Sequence, residues 1–357
     1  MMLVADSTCA LEWEHQIAMY KSMKKHIYIA YTGGTIGMRP SSKGYVCVPG
    51  FLSKTLAGMP EFHRDEMPQF TIHEYDQLMD SSDMSPLDWQ QIADDIQANY
   101  ENYDGFIILH GTDTMAYTAS ALSFMLENLS KPVIVTGSQI PLAEIRSDGQ
   151  INLLNALYLA ANYPVHEVCL FFNNQLLRGN RSRKIHADGF NAFASPNFPP
   201  LMEAGINIDV IEGQVKPIVQ QPLKVSPVTA QPIGVVTLYP GISAEVIRNT
   251  LQQPVKALIL LSYGVGNAPQ DPALLSQLEQ ANKQGIVVLN CTQCLRGKVN
   301  MAGYATGNAL AQVGVVSGGD MTLEAALAKL HYLLSKASGI EAIRQELTQN
   351  LRGELSD

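Results

Sequence analysis

Along this chain, short apolar runs alternate with longer stretches whose apolar residues recur at helical spacing. Residues 26–31 (HIYIAY), 104–110 (DGFIILH), 132–137 (PVIVTG) and 166–172 (HEVCLFF) are strand-sized, and the first three run into turns of Gly, Thr and Ser. Residues 114–129 place Met115, Leu122, Met125 and Leu126 at helical spacing, and 151–161 read as a further helix. Strands alternating with helices predict an α/β protein with a mostly parallel sheet. Beyond Lys184 the chain turns rich in Pro, Asn and Phe, and the periodicity thins. Pro217, Pro222, Pro227 and Pro232 then mark a stretch with little helical period, which reads as an interdomain connection. After it the alternation resumes, with strands near 233–238, 255–262 and 285–290 and helices near 244–252, 273–284 and 323–334. The expected organisation is an N-terminal α/β domain over 23–212, a linker over 213–232 and a smaller α/β domain over 233–357. Residues 1–22 carry Asp6, Glu12 and Glu14 without an unbroken apolar segment, so they read as a non-functional extension rather than a secretory leader.

Composition narrows the function classes. The chain has 357 residues, 46% hydrophobic and 16% charged, enough for a sizeable core and unlike a disordered tail. Lys and Arg number 24 against 33 acids, for a net charge of −9, so the broad positive field that nucleic acid or anionic lipid demands is missing. No apolar run approaches the ~18–20 residues of a membrane span, and the reading is a soluble protein without membrane or nucleic-acid partners. Five sparse cysteines (Cys9, Cys47, Cys169, Cys291, Cys294) fit a reducing compartment better than a disulfide framework. Cys291-Thr292-Gln293-Cys294 has redox or zinc spacing, but no second pair accompanies it, so both thiols read as core and no metal is expected.

Four segments could carry chemistry. Thr32-Gly33-Gly34-Thr35-Ile36-Gly37 follows the first strand; its glycines allow close backbone approach and leave two hydroxyls at the sheet edge, where open α/β sheets bind ligands. It lacks the Gly-Lys-Ser/Thr of a P-loop and the spacing of a dinucleotide fingerprint, so an active-site turn and a plain tight turn both stand. His110-Gly111-Thr112-Asp113-Thr114 closes the next strand with hydroxyls beside a carboxylate, although Asp113 could simply cap the helix that follows. Residues 178–184 (RGNRSRK) gather four cations, which read either as a solvated face or as the source of an amine that assists a hydroxyl nucleophile. Residues 79–84 (MDSSDM) suit the head group of an amino acid, or form a turn before the helix that Pro86 opens.

TGGTIG, HGTDT, the Asp80–Asp83 turn and the lysine ending RGNRSRK, in this order, resemble the bacterial-type L-asparaginase/glutaminase family over roughly 26–354. SYGVGNAP (262–269) and YATGNAL (304–310) bring the chain nearest to the cytoplasmic type I branch. The resemblance implies a larger N-terminal domain and a smaller flavodoxin-like C-terminal domain, a cytoplasmic location, no cofactor, and a homodimer or homotetramer in which Asn267 reaches across. It implies that Thr35 attacks the side-chain amide of L-asparagine and is acylated, with Tyr45 helping to activate it. Thr112 and Lys184 then form a second catalytic pair, Asp113 receives the substrate ammonium, Ser81 and Ser82 hold its carboxylate, and the Ser138 carbonyl lies where ammonia departs. Here Ser82 stands where the secreted branch has glutamine. The type I branch also implies a regulatory asparagine site; Leu261 replaces an arginine that some members use there, Arg183 precedes the lysine, and Cys294 is a candidate lining residue. Weakened or absent activation by asparagine is the expectation. His110 reads as structural. A non-catalytic amino-acid-binding oligomer, a glutaminase, and the amidase subunit of a tRNA amidotransferase are the competing readings.

Overall fold

The structure, a computed structural model, describes residues 24–42, 44–211, 214–252, 254–303, 305–336 and 338–356. The extension expected over 1–22 lies outside the described residues. The chain divides into two compact units, one ending at Val225 and the other holding Ser226 onward together with Pro196–Phe198.

In the first unit the elements run β1 (His26–Gly33), β2 (Met38–Ser41), β3 (Gly44–Cys47), α1 (Phe51–Ala57), β4 (Gln69–Met79), α2 (Pro86–Asn99), β5 (Gly105–Leu109), α3 (Met115–Met125), β6 (Leu126–Glu127), β7 (Val133–Thr136), α4 (Gly149–Asn162), β8 (Val168–Phe172), β9 (Gln175–Arg178), β10 (Arg183–Lys184), β11 (Phe193–Ala194), β12 (Met202–Ala204), β13 (Ile208–Val210) and β14 (Lys224–Val225). Eight strands form one sheet in the order β13-β12-β9-β8-β7-β5-β1-β4. From β4 to β8 every pairing is parallel. The turn after β8 reverses the chain, so β9 and β12 add antiparallel. β5, β7 and β8 are buried throughout, which is why they read as unbroken apolar runs. Parallel strands end on the same edge, and the Gly-rich turns after β1, β5 and β7 and the Asp80–Asp83 turn after β4 therefore meet there.

Several expectations are corrected. α3 stops at Met125 rather than near Leu129, because Leu126 and Glu127 pair with Val225 and Lys224 instead of continuing the helix. β4, missed by the sequence reading, is an edge strand whose His73, Glu74 and Asp76 break up any apolar run. Beyond Lys184 the chain is ordered into short strands rather than thinning out.

The second unit carries β15 (Ile233–Thr237), α5 (Ala244–Leu251), β16 (Ala257–Ser262), α6 (Pro272–Lys283), β17 (Val287–Thr292), α7 (Ala305–Gln312), β18 (Val316–Ser317), α8 (Leu323–Ser335) and α9 (Ile340–Leu347). Its sheet is parallel throughout, in the order β15-β16-β17-β18. Leu258, Leu260, Leu274, Leu278, Val288 and Leu310 fill the core on one side of it. No described helix is long and apolar enough to cross a membrane.

Candidate active site

The two Gly-rich turns of the first unit interlock. Gly34 has φ of +89°, and a Cβ built on it would overlap the backbone nitrogen and Cα of Gly111. A Cβ on Gly111 would in turn overlap the side chain of Ser81. Three strand ends are thus pressed together by glycines, which brings the segments that carry Thr35, Thr112 and Ser81 side by side. The hydroxyl of Thr32 is not available for chemistry: it donates to the Leu109 carbonyl at 2.9 Å and ties β1 to β5. Thr35, which opens a short 3-10 turn, is half-buried, and its hydroxyl makes no hydrogen bond among the described residues.

Beside it runs a chain of hydrogen bonds. Lys184 Nζ donates to Thr112 Oγ1 at 2.9 Å and to Asp113 Oδ1 at 2.7 Å. Thr112 Oγ1, itself buried, donates to Gln139 Oε1 at 3.0 Å. The Gln139 amide nitrogen donates to the carbonyls of Ala187 and Gly189, and its backbone N–H donates to Asp148. This network fixes the direction of the Thr112 proton, toward Gln139, and leaves lone pairs of the oxygen for Lys184 and for a reacting group. Asp113 does not cap α3; the N-cap is Thr114, and the Asp113 carboxylate, 64% exposed, faces Lys184 and solvent. Gln139 and Asp148 carry no motif; only the position of Gln139 just past the third parallel strand end could have pointed to it.

The floor of the site is structural. His110 is fully buried between the Gly111 carbonyl on Nδ1, at 2.6 Å, and the Thr118 hydroxyl on Nε2, at 2.8 Å. The Gly111 carbonyl can only accept, which puts the ring proton on Nδ1, so Thr118 Oγ1, which also receives the Trp89 indole N–H at 3.1 Å, donates to Nε2. Burial pushes the imidazole pKa down to about 4, so it stays neutral near pH 7. Nor is the 178–184 run a solvated face. Arg178 is buried and grips Glu167 at 2.6 and 3.2 Å, Arg181 is 2% exposed, and only Arg183 and Lys184 reach intermediate exposure.

The family model described as "Asparaginase, N-terminal" matches residues 26–216, and "Glutaminase/Asparaginase C-terminal domain" matches 232–347. The chain belongs to the asparaginase family. It is 70% identical over 333 residues to "L-asparaginase 1" of Escherichia coli (strain K12), covering 93% of this chain and 98% of that one. Its fold matches the crystal structure of L-asparaginase I from Vibrio cholerae, with a TM-score of 0.89, 68% identity and coverage of 94% of this chain and 100% of that one. The thermostable L-asparaginase from Thermococcus kodakarensis matches with a TM-score of 0.83 and 32% identity over 93% of this chain and 99% of that one.

Of the residues that the asparaginase motifs single out, Thr35, Ser81, Thr112, Asp113 and Lys184 stand together at one sheet edge. Ser138 lies two residues past β7 on that edge, buried, with its hydroxyl unpartnered. Ser82 is exposed, and its N–H and hydroxyl both donate to Asp80 at 3.0 Å. Tyr45, on β3, is 52% exposed and makes no hydrogen bond to Thr35 among the described residues. Leu261, Asn267 and Cys294 belong to the second unit. Leu261 is half-buried on β16, and Asn267 closes a turn with Tyr263. Cys294 is exposed and unpaired, against the expectation of a core thiol, whereas Cys291 is buried. No His, Cys, Asp and Glu cluster among the described residues could hold a metal ion.

Proposed function

We propose that the chain is an L-asparaginase that hydrolyses the side-chain amide of L-asparagine to L-aspartate and ammonia through an acyl-enzyme on Thr35. The observation that carries this reading is the Lys184–Thr112–Gln139 chain of hydrogen bonds set against a half-buried Thr35 hydroxyl. Amide hydrolysis by an alcohol needs proton removal, donors for the oxyanion, and a proton for the departing amine. Thr35 Oγ1 attacks the amide carbon with Tyr45 aiding its activation, and ammonia leaves past the Ser138 carbonyl. Water, oriented by Thr112 with Lys184 tuning that hydroxyl, then hydrolyses the ester and frees Thr35. The ammonium of the substrate sits on Asp113, whose carboxylate is open to solvent, and its carboxylate sits at the Ser81–Ser82 turn. Anchoring both ends of so small a substrate holds the amide in attack range, and such positioning supplies up to about 7–11 kcal/mol of a barrier.

The enzyme works in the cytoplasm as a homodimer or homotetramer. Leu261 cannot pair with a carboxylate, so activation by asparagine is weak or absent and the saturation curve is hyperbolic. The deciding experiment measures ammonia release from L-asparagine and L-glutamine across a wide concentration range for the wild type, Thr35→Ala and Thr112→Ala. Asparagine turnover that both substitutions silence supports the reading. Binding of asparagine without ammonia release refutes it in favour of a sensor, and a sigmoidal curve refutes the role given to Leu261.

A further inference from the structure

Tyr31 lies near the end of β1, directly before the Thr32–Gly37 segment, and its side chain is 0% exposed. Its hydroxyl lies beneath Gly37, where a Cβ would overlap it, and has no hydrogen-bond partner among the described residues. A buried hydroxyl without a partner costs about 1–3 kcal/mol, so such a group points to something that it serves. Burial, and after it the nearby Cys47 thiol and Glu74 carboxylate, hold the phenol's pKa above its ordinary value.

Cys47 ends β3 and pairs with Met38 across the β2–β3 hairpin, directly after Gly37. It is half-exposed, so a small reagent can reach it, and its Sγ lies 4.0 Å from the carbonyl oxygen of Gly34, the residue before Thr35. Gly34 is also packed closely against Gly111, so an added group at Cys47 shifts a tightly fitted turn. The sulfur therefore has solvent on one side, an idle O–H donor on another, and the nucleophile's own turn on a third.

We propose that Cys47 is a modification site for low-molecular-weight disulfides, and that a mixed disulfide on it displaces the Gly34–Thr35 turn and stops turnover. The Cys47 thiol loses its proton to solvent, and the thiolate attacks one sulfur of the reagent. The reagent's S–S bond breaks as the Cys47–S–S bond forms, and the other half leaves as a thiolate. The Tyr31 hydroxyl donates to the thiolate before attack, the role its unused proton allows. The inhibition, though not the modification, rests on the reading of Thr35 as nucleophile.

The test uses the full chain carrying Cys9→Ser and Cys294→Ser, since Cys169 and Cys291 are buried. The probe is 5,5′-dithiobis(2-nitrobenzoate), whose leaving thiolate is coloured. The expected result is about one equivalent of thiolate released, an adduct located on Cys47 by peptide mass, and at least a roughly tenfold loss of ammonia release that dithiothreitol restores. Cys47→Ser in the same background keeps its rate within about twofold and is untouched by the reagent, with Cys47→Ala as the substitute should the serine variant fold poorly. Tyr31→Phe reacts about threefold more slowly or slower still, because the thiolate loses its donor. Full activity with Cys47 modified, equal inactivation of Cys47→Ser, or no reaction would each overturn the proposal, and an unchanged rate in Tyr31→Phe would overturn the pairing of phenol and thiol. Thr35→Ala is assayed alongside: if it retains turnover, the nucleophile assignment fails, while the thiol count still decides whether Cys47 is modified.

Discussion

Lys184 in the first unit and Lys329 in the second each hold a carboxylate by Nζ, Asp113 at 2.7 Å and Glu354 at 2.6 Å. Their surroundings differ in every other respect. Lys329 and Glu354 have fully buried side chains, and Lys329 Nζ also donates to the carbonyls of Leu347 at 3.1 Å and Gln349 at 2.6 Å. An ammonium has three protons, and all three are used. Glu354 in turn accepts the backbone N–H groups of Leu351 and Arg352. Burial lowers the Lys329 pKa, with Glu354 working against it. This pair is closed, and what it does is pin the segment after α9 to α8. Lys184 spends its second hydrogen bond on the Thr112 hydroxyl, and its carboxylate partner lies open to solvent. The distance between lysine and carboxylate says nothing about role; the count of unspent donors and the access of water do.

The strongest way to break this contrast is Lys184→Met, which should cut asparagine turnover by about a thousandfold or more while moving unfolding free energy by less than about 1 kcal/mol, since its ion pair is half-exposed. A large stability loss with turnover retained would put Lys184 in the same class as Lys329. The mirror experiment is Lys329→Met, which strands a buried carboxylate and should cost about 3–5 kcal/mol of second-unit stability. Urea unfolding measures it; the double change Lys329→Met/Glu354→Gln should recover part of the loss, and the asparagine turnover of the folded fraction should stay at the wild-type level.

His110 carries the contrast into the first unit's own site, where a buried titratable group is structural. It is neutral in both states above pH ~6.5. As pH falls from ~6.5 to about 4 the unfolded chain takes up a proton that the native site refuses, so stability drops, by about 3 kcal/mol in all, and the slope from this residue ends below that. Urea midpoints read by Trp89 fluorescence in Trp13→Phe should fall across that window, and His110→Gln should flatten the fall. The smallest effect concerns the orientation of Thr112. Gln139→Leu should lower kcat about tenfold, or about 1.4 kcal/mol, with KM little changed. An unchanged kcat would show that Lys184 alone orients the hydroxyl.

What the sequence discloses follows from how local each signal is. The strands β1, β5, β7 and β8 are written as continuous apolar runs because both faces are covered, and the Gly- and Thr-rich turns that follow some of them are local enough to mark hydroxyls at strand ends, among which the resemblance singles out Thr35 and Thr112. Lys184 is readable only through the resemblance, since four clustered cations suggest solvent, and Arg178 and Arg181 are in fact buried. β4 hides behind alternating exposed polar residues. Gln139 and Asp148 take their roles from partners far along the chain, with Gln139 reaching Thr112, Ala187 and Gly189, and no spacing rule announces such contacts. The Lys329–Glu354 pair is equally silent, a lysine on a mostly apolar helix whose counter-ion comes from a later loop.

The contact of Gly34 with Gly111 also sets what mutation can do here. Every amino acid other than glycine brings a Cβ, so every missense change in the codon for residue 34 puts an atom where the Gly111 backbone already lies and asks an L-residue to hold φ of +89°. A saturation library at that codon should return glycine alone among its active clones. A directed-evolution campaign aimed at a wider choice of amides has to leave that position unrandomised and search instead among the side chains that surround it.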